Sequence, residues 1–521
     1  MGGCRWLRVC WMLALLFLAV AIGSTATASQ GEAAELDQVL ADARQALGLA
    51  AWDRLGEIEL RGESNYFGLD GTARFTADRQ GRFHLTIASP LGESRGWDGQ
   101  AAWLGDRHGG WRRLHFREEE SVLTLLPFLF GGWLRADDAY ETRLLPRLPE
   151  SPGVRLEVRR KDGLVPVTVR LDPESQRPIE LRSRTRDADI TTYLSDYRAV
   201  GGLQVPMTLR QQVRGLGNVL RFSEAESRPA PTAERYRFTA RRPEQVRFDP
   251  NVPAVVEVKK SRTGHMLVRP LINDKEAGWF ILDSGAGAHA LHARSARELG
   301  LPALGKVLAA GVGDTIVTQF RKASTLQVGP LRLPDQHFVE IDLTLVSAAM
   351  GEAIAGVVGY PLFQAAIVEF EVEPPALRIH VPERFELKQG EWQELRLDGN
   401  VSCVEARFEG DRSGWFRLDT GASNMVTFHA PVVERLKLLE GRQTQPAFEG
   451  GVGGVSAARA GKLAWFELGG QRFENIDARF SAAEAGAFRD EILLGNIGQG
   501  LLRPFRVAFD YGESRIAFVP K

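Results

Sequence analysis

Two eight-residue segments constrain this chain more tightly than anything else in it. Trp279-Phe280-Ile281-Leu282-Asp283-Ser284-Gly285-Ala286 returns 136 residues later as Trp415-Phe416-Arg417-Leu418-Asp419-Thr420-Gly421-Ala422. Three further marks recur in the same order: Gly311-Val312-Gly313 as Gly451-Val452-Gly453, Val328-Gly329 as Leu468-Gly469, and Val357-Val358-Gly359 as Leu493-Leu494-Gly495. The first two of these are spaced by 140 residues and the last by 136, so only a few inserted residues separate the halves. One supersecondary plan is used twice, and two similar lobes are expected over 255–385 and 386–521.

What precedes the repeat reads differently. Arg5 and Arg8, the continuous apolar run Trp11 to Ile22, and Ala26-Thr27-Ala28 have the three-part order of a secretory signal over residues 1–28, with cleavage after Ala28. An uncleaved anchor is the alternative, but a run of about twelve apolar residues is short for a bilayer that needs about twenty. The chain is therefore expected to be exported, to the periplasm or as a secreted protein. Cys403 is then the one cysteine left, so an intrachain disulfide is ruled out and apolar cores must hold the fold. Lys and Arg (65) balance Asp and Glu (66), which leaves no basic field for a nucleic-acid partner.

Over 29–228 the periodicity predicts one helix followed by strands. Leu36, Val39, Leu40, Ala43 and Leu47 recur at helical spacing within Glu35 to Ala51. The period then changes to two, in Ile58/Leu60, Phe83/Leu85/Ile87, Val154/Leu156/Val158 and Val165/Val167/Val169, with Asp70-Gly71 and Asp162-Gly163 as turns. Val122 to Leu134 is too apolar to be exposed and too long for a strand; it is expected to pack on the concave face of the sheet. With Trp97-Asp98-Gly99, Asp196-Tyr197 and Gly202-Leu203-Gln204-Val205-Pro206, this region resembles the half-barrel domains of periplasmic lipoprotein carriers. The resemblance implies a cavity for acyl chains, and hence lipid or lipoprotein as a partner; a filled core that is structural or positions substrate is the alternative. Residues 229–254 are rich in Pro, Arg and Glu, lack a period, and read as a linker.

From 255 onward the paired motifs resemble the aspartic peptidases of the pepsin and retropepsin type. The shared signature is an apolar strand entering Asp-Thr/Ser-Gly-Ala, a Gly-rich hairpin about thirty residues on, and later two apolar residues before a Gly. The fold class expected is mainly β: a curved antiparallel half-barrel with helices, then a tandem pair of retropepsin-like lobes. The resemblance makes Asp283 and Asp419 the catalytic pair, because hydrolysis without a metal needs a base for water and an acid for the leaving group, and two carboxyls sharing a proton supply both. Ser284, Gly285, Thr420 and Gly421 would support the dyad, and Gly311, Gly313, Gly451 and Gly453 would lie in two flaps over an extended peptide or protein substrate.

No cofactor is implied. His289 and His292 stand three apart, but no third ligand in a recognisable motif accompanies them, so no metal is expected. H-E-x-x-H does not occur, and G-x-S-x-G occurs once, as Gly92-Glu93-Ser94-Arg95-Gly96 among the alternating segments. Cys403, in an expected strand Val401 to Phe408, reads as a small buried residue. The function expected is an exported aspartic endopeptidase, a monomer with an internal pseudo-dimer. The alternative is a non-proteolytic envelope protein that binds lipid or lipoprotein and uses its retropepsin-like lobes for peptide binding.

Overall fold

The computed structural model describes residues 31–135, 139–184, 188–311, 315–451 and 454–521; the expected signal sequence lies outside them. Residues 31–47 form a helix whose Val39, Ala43 and Leu47, four apart, are buried. It stops at Gly48, which takes φ 68 and lies so close to Gly202 that a Cβ would meet the Gly202 carbonyl oxygen at 2.3 Å. The helix expected to reach Ala51 is thus broken in two, and a 3-10 turn, Leu49–Arg54, continues beyond it and buries Ala51 and Trp52.

A single antiparallel sheet of thirteen strands follows, in which the first long strand, Glu57–Tyr66, pairs with the last, Leu216–Arg228. Hairpin neighbours fan out from this seam to Trp111–Arg113 on one side and Tyr140–Leu144 on the other. The alternation places Ile58, Leu60, Phe75, Phe83, Val169 and Leu181 in one apolar core. Val122 to Leu134 becomes the end of a helix, Phe116–Leu129, and a 3-10 turn, Gly132–Leu134; Val122, Leu123, Leu129 and Trp133 join that core. The helix meets the strands Ser94–Trp97 and Ala102–Gly105.

The strand Glu57–Tyr66 departs from simple alternation, since Glu57 and Glu59 are as buried as Ile58 and Leu60. The segment read as a linker covers them. Tyr236 Oη donates to Glu57 at 2.6 Å and Arg235 pairs with Glu57 at 2.7 Å, while Arg228, the last residue of the preceding strand, reaches Glu59 at 2.6 Å. Farther on, Arg247–Phe248 adds a strand to the first lobe and Arg242 pairs with Asp510. Residues 229–254 are irregular, yet bound along much of their length.

In each lobe the recurring marks meet. Trp279–Leu282 runs parallel to Ile354–Val358, Leu282 opposite Val358, and Arg412–Asp419 runs parallel to Gly495–Gly498, Phe416 opposite Gly495. Between the lobes lies a six-stranded sheet to which both contribute: Val255–Val256, Pro375–His380 and Ile367–Val372 from the first, then Phe505–Asp510, Arg515–Pro520 and Gln393–Glu394 from the second. Corresponding strands, Ile367–Val372 and Phe505–Asp510, pair antiparallel at its centre. One large apolar cluster runs through both lobes, from Phe280 and Phe338 to Phe416 and Phe480, and a smaller one in the first lobe gathers Leu267, Ile281, Leu343 and Ile354. The strand Val401–Phe408 has the expected bounds and Cys403 is buried in it.

The half-barrel docks on the lobes through buried polar contacts. Arg112 Nε donates to Asn400 at 2.8 Å while Nη2 holds Glu118, and Tyr360 Oη donates to Asp106 at 2.8 Å. The backbone N of Lys306, on the hairpin strand Ala303–Ala310, donates to the Phe67 carbonyl at 2.9 Å. Between half-barrel and hairpin lies a cavity of about 590 Å³, lined by Tyr66, Leu85, Leu104, Leu181, Val307 and Leu308 among others. Among the described residues no helix is long and apolar enough to cross a membrane.

Candidate active site

Asp283 and Asp419 each sit at the end of an apolar strand, just before a tight turn, and the two turns face each other across the lobe interface. Four hydrogen bonds join them. Ser284 N donates to Thr420 Oγ1 at 2.9 Å and Thr420 N donates to Ser284 Oγ at 3.1 Å. The two hydroxyls then donate onward, Ser284 Oγ to the Leu418 carbonyl at 2.7 Å and Thr420 Oγ1 to the Leu282 carbonyl at 3.1 Å. Each hydroxyl accepts from one backbone group and donates to another of the opposite lobe, which a side chain without an oxygen cannot do.

The glycines explain themselves by contact. A Cβ on Gly285 would lie 2.5 Å from the Asp419 carboxyl carbon, and one on Gly421 would lie 2.5 Å from that of Asp283. Each lobe's glycine therefore makes room for the other lobe's carboxylate. Gly285 N donates to Asp283 Oδ1 at 2.7 Å and Gly421 N to Asp419 Oδ1 at 2.8 Å. Burial pushes both carboxyls above the usual range, and the Asp419 charge pushes Asp283 further, against these backbone hydrogen bonds. Two carboxyls so placed resist losing both protons, and hold one between them.

The surroundings contain residues that sequence reasoning missed. Tyr511 Oη donates to the Ser284 carbonyl at 3.3 Å, Ser402 Oγ to the Leu418 carbonyl at 2.8 Å, and Gln499 to the Thr420 carbonyl. His265 Nε2 lies 2.9 Å from the Gly421 carbonyl, and Asn496 Nδ2 lies 3.4 Å from Asp419 Oδ2. Asn496 directly follows the recognised Leu493-Leu494-Gly495, so its place beside that mark was the available signal. His289 is buried, stacked on Phe338, with Nδ1 accepting from Gly359 N at 3.1 Å; His292 instead accepts from Leu343 N. They serve different packing contacts and do not converge.

The two Gly-rich hairpins are formed by Ala303–Ala310 with Thr315–Val328 and by Gln445–Gly451 with Gly454–Leu468. Gly313 and Gly453 lie outside the described residues. The carbonyl of Gly311 accepts from Ala487 N of the second lobe at 3.0 Å, and Gly451 pairs with Gly454.

Ser284→Ala should remove one donor and one acceptor from this interlock, leaving the Thr420 N–H unpaired in a buried place. A loss of about 1–3 kcal/mol is expected, read as a lower urea midpoint with an unchanged m-value.

An aspartyl protease family model matches residues 268–362 and, again, 404–498. The chain thus carries tandem aspartic-protease-like domains behind its half-barrel sheet. A search of curated proteins found no match. Among solved structures, the chain is similar to the aspartic proteinase from Irpex lacteus (12% identity, TM-score 0.34), over 51% of this chain and 97% of that one. It is likewise similar to basic 7S globulin from soybean (11%, TM-score 0.33; 51% and 93% covered). A third likeness is to a LolA superfamily protein from Nitrosomonas europaea (13%, TM-score 0.28; 38% and 97% covered).

Proposed function

We propose that this protein is an aspartic endopeptidase, exported to the periplasm or secreted, whose single site is completed by both lobes of one chain. The observation that carries the reading is the reciprocal packing of Gly285 on Asp419 and Gly421 on Asp283, which holds two half-buried carboxyls together.

In this mechanism one carboxyl is charged and the other protonated. The charged one takes a proton from water as the water oxygen bonds to the peptide carbon, and the protonated one gives its proton to the carbonyl oxygen as the π bond opens. The intermediate carries two hydroxyls. On collapse, the first carboxyl delivers its proton to the amide nitrogen, the second recovers a proton from one hydroxyl, and the C–N bond breaks. The dyad ends with the one proton it began with.

The hairpins carrying Gly311 and Gly451 serve as flaps over an extended peptide. The cavity of about 590 Å³ is of a size to take an acyl chain, and Arg95, Arg117 and Lys306 among its lining residues suit an anionic group, so a lipid or lipoprotein is the partner proposed for the half-barrel. Native mass spectrometry of the intact protein should show acyl-sized adducts that Leu181→Trp, which narrows the cavity, removes.

The test of the reading is digestion of casein and of a peptide library by the mature protein across pH 3 to 8, with pepstatin, a chelator and a serine-protease inhibitor in separate arms. Cleavage suppressed by pepstatin alone supports it. Absence of cleavage at every pH would favour a binding protein that keeps the fold without the reaction.

A further inference from the structure

The two Gly-rich hairpins repeat one plan, but the half-barrel grips only one of them. In the half-barrel, Glu57–Tyr66 and Leu69–Asp78 are joined by two residues, Phe67 and Gly68, at φ 54 and 76. A two-residue turn with both central φ positive is where Asn-Gly is usual, and a bulky side chain is uncommon there. Asn218 holds Phe67 in that conformation, its Oδ1 accepting from Phe67 N at 3.0 Å. The ring packs at the margin of the half-barrel core and stands edge-on to Phe320 of the first hairpin, with centroids 6.1 Å apart. Arg107, on the turn between Ala102–Gly105 and Trp111–Arg113, lies over both rings, 5.6 Å from the Phe67 centroid and 4.7 Å from that of Phe320. That turn is itself fixed to the first lobe through Asp106 and Tyr360.

The first hairpin is shaped to meet these side chains. Its ladder carries one extra residue between Leu304 and Val307, a bulge. Gly305, within it, takes φ 57, and a Cβ there would lie 2.7 Å from the Phe67 carbonyl oxygen. Lys306 N donates to that same oxygen at 2.9 Å. At the other end, the Gly311 carbonyl accepts from Ala487 N of the second lobe at 3.0 Å. The strand is thus tied down at both ends.

The second hairpin is built otherwise. Gln445–Gly451 pairs with Gly454–Leu468 without a break. At the spacing of 140, Lys306 corresponds to Pro446, which has no N–H to give. Among the described residues, the hydrogen bonds of this hairpin stay within its own lobe: Thr427 and Arg479 hold Glu449, and Arg479 also holds the Phe448 carbonyl. Phe448 and Val455 are 68% and 65% exposed, and a Cβ on Gly450 or Gly454 would meet nothing within 4 Å.

We infer that Phe67 and Arg107 are positioning residues of the peptidase: they pin the first hairpin as a fixed wall of the cleft, and the second hairpin is the one that swings to admit and release peptide. The inference rests on the peptidase reading above. A wall already in place need not be ordered when peptide binds, so the clamp lowers the cost of binding. The half-barrel is then a working part of the cleft.

The experiment has two arms. The first compares steady-state kinetics on a purified peptide for wild type, Phe67→Asn and Arg107→Met. Asn suits the turn better than Phe, so the half-barrel keeps its stability while the ring is lost. KM should rise about tenfold in Phe67→Asn, the scale of losing an aromatic pair and a cation–π contact together. It should rise about threefold in Arg107→Met, which loses the second alone. The change should fall on KM and not on kcat. A merely structural role would reduce the active fraction, lowering kcat and leaving KM in place; that result overturns the inference.

The second arm is hydrogen exchange of intact wild type and Phe67→Asn, which needs no activity. In wild type the amides of 303–310 should exchange about tenfold more slowly than those of 445–451, the same free-energy scale. In Phe67→Asn the first set should quicken and the second stay as it was. Equal exchange of the two hairpins in wild type overturns the inference. If wild type cleaves no peptide, the peptidase reading has failed, and the exchange arm still decides whether the first hairpin is pinned. If wild type cleaves peptide and its two hairpins exchange alike, only the clamp has failed.

Discussion

Asp283→Asn and Asp419→Asn should each reduce peptide hydrolysis by about a thousandfold or more, the upper range of what a positioned acid or base contributes. An amide is close to a carboxyl in size, so the packing of Gly285 and Gly421 survives, but it can neither take a proton from water nor give one to the carbonyl oxygen. The double variant should be hardly worse than either single one, since groups that act as a unit fail together. Binding of an uncleaved peptide should persist, with a change in Kd far smaller than the change in kcat. The measurement is single-turnover cleavage of a purified peptide alongside its binding isotherm. A single Asn variant with close to wild-type turnover is incompatible with a shared dyad.

The largest stability effect is expected from Arg417→Met. Arg417 is only 3% exposed and pairs with Asp398 at 3.3 Å and with Asp490, while Nη1 donates to the Ala487 carbonyl at 2.9 Å. Removing one partner of a buried ion pair leaves uncompensated charge and costs about 3–5 kcal/mol. Its pH dependence can be worked out from Asp490. Burial alone would push that carboxyl up, but Arg417, His429 and the N–H groups of Ile492 and Leu493 hold it down at about 2. A carboxyl held below its unfolded value of about 3.9 adds stability above that value and loses it as pH falls toward about 2. The gap between wild type and Arg417→Met should therefore be full at pH 6 and shrink below pH 4, read from urea unfolding at each pH. A gap that widens on acidification would mean that Asp490 is not the group Arg417 stabilises.

The repeat was legible because its marks meet local backbone demands. An Asp on a tight turn needs a glycine beside it, and the strand carrying it needs an apolar neighbour ending in glycine. Both demands leave residues at fixed positions, so Asp283, Ser284, Gly285, Asp419, Thr420 and Gly421 were found from sequence, and they meet at the lobe interface. The six-stranded sheet was not foreseen, because Ile367–Val372 and Phe505–Asp510 read as ordinary apolar runs and pair only after the lobes come together. Residues 229–254 show the same limit from the other side: Arg235 and Tyr236 follow no period, but they cover Glu57 and Glu59 on the outer face of a strand. Asn496 was missed for a different reason. The repeat was read by what its halves share, and Asn496, beside Asp419, stands where the first lobe has Tyr360.

The central claim is that one site is made by two lobes of the same chain, and mixing tests it most directly. Equal amounts of Asp283→Asn and Asp419→Asn protein, unfolded together, refolded together and assayed on a purified peptide, should remain as inactive as either alone, because every chain supplies its own defective partner. Recovery of a quarter or more of wild-type turnover on mixing would mean that the carboxyls meet between chains, and would contradict the account.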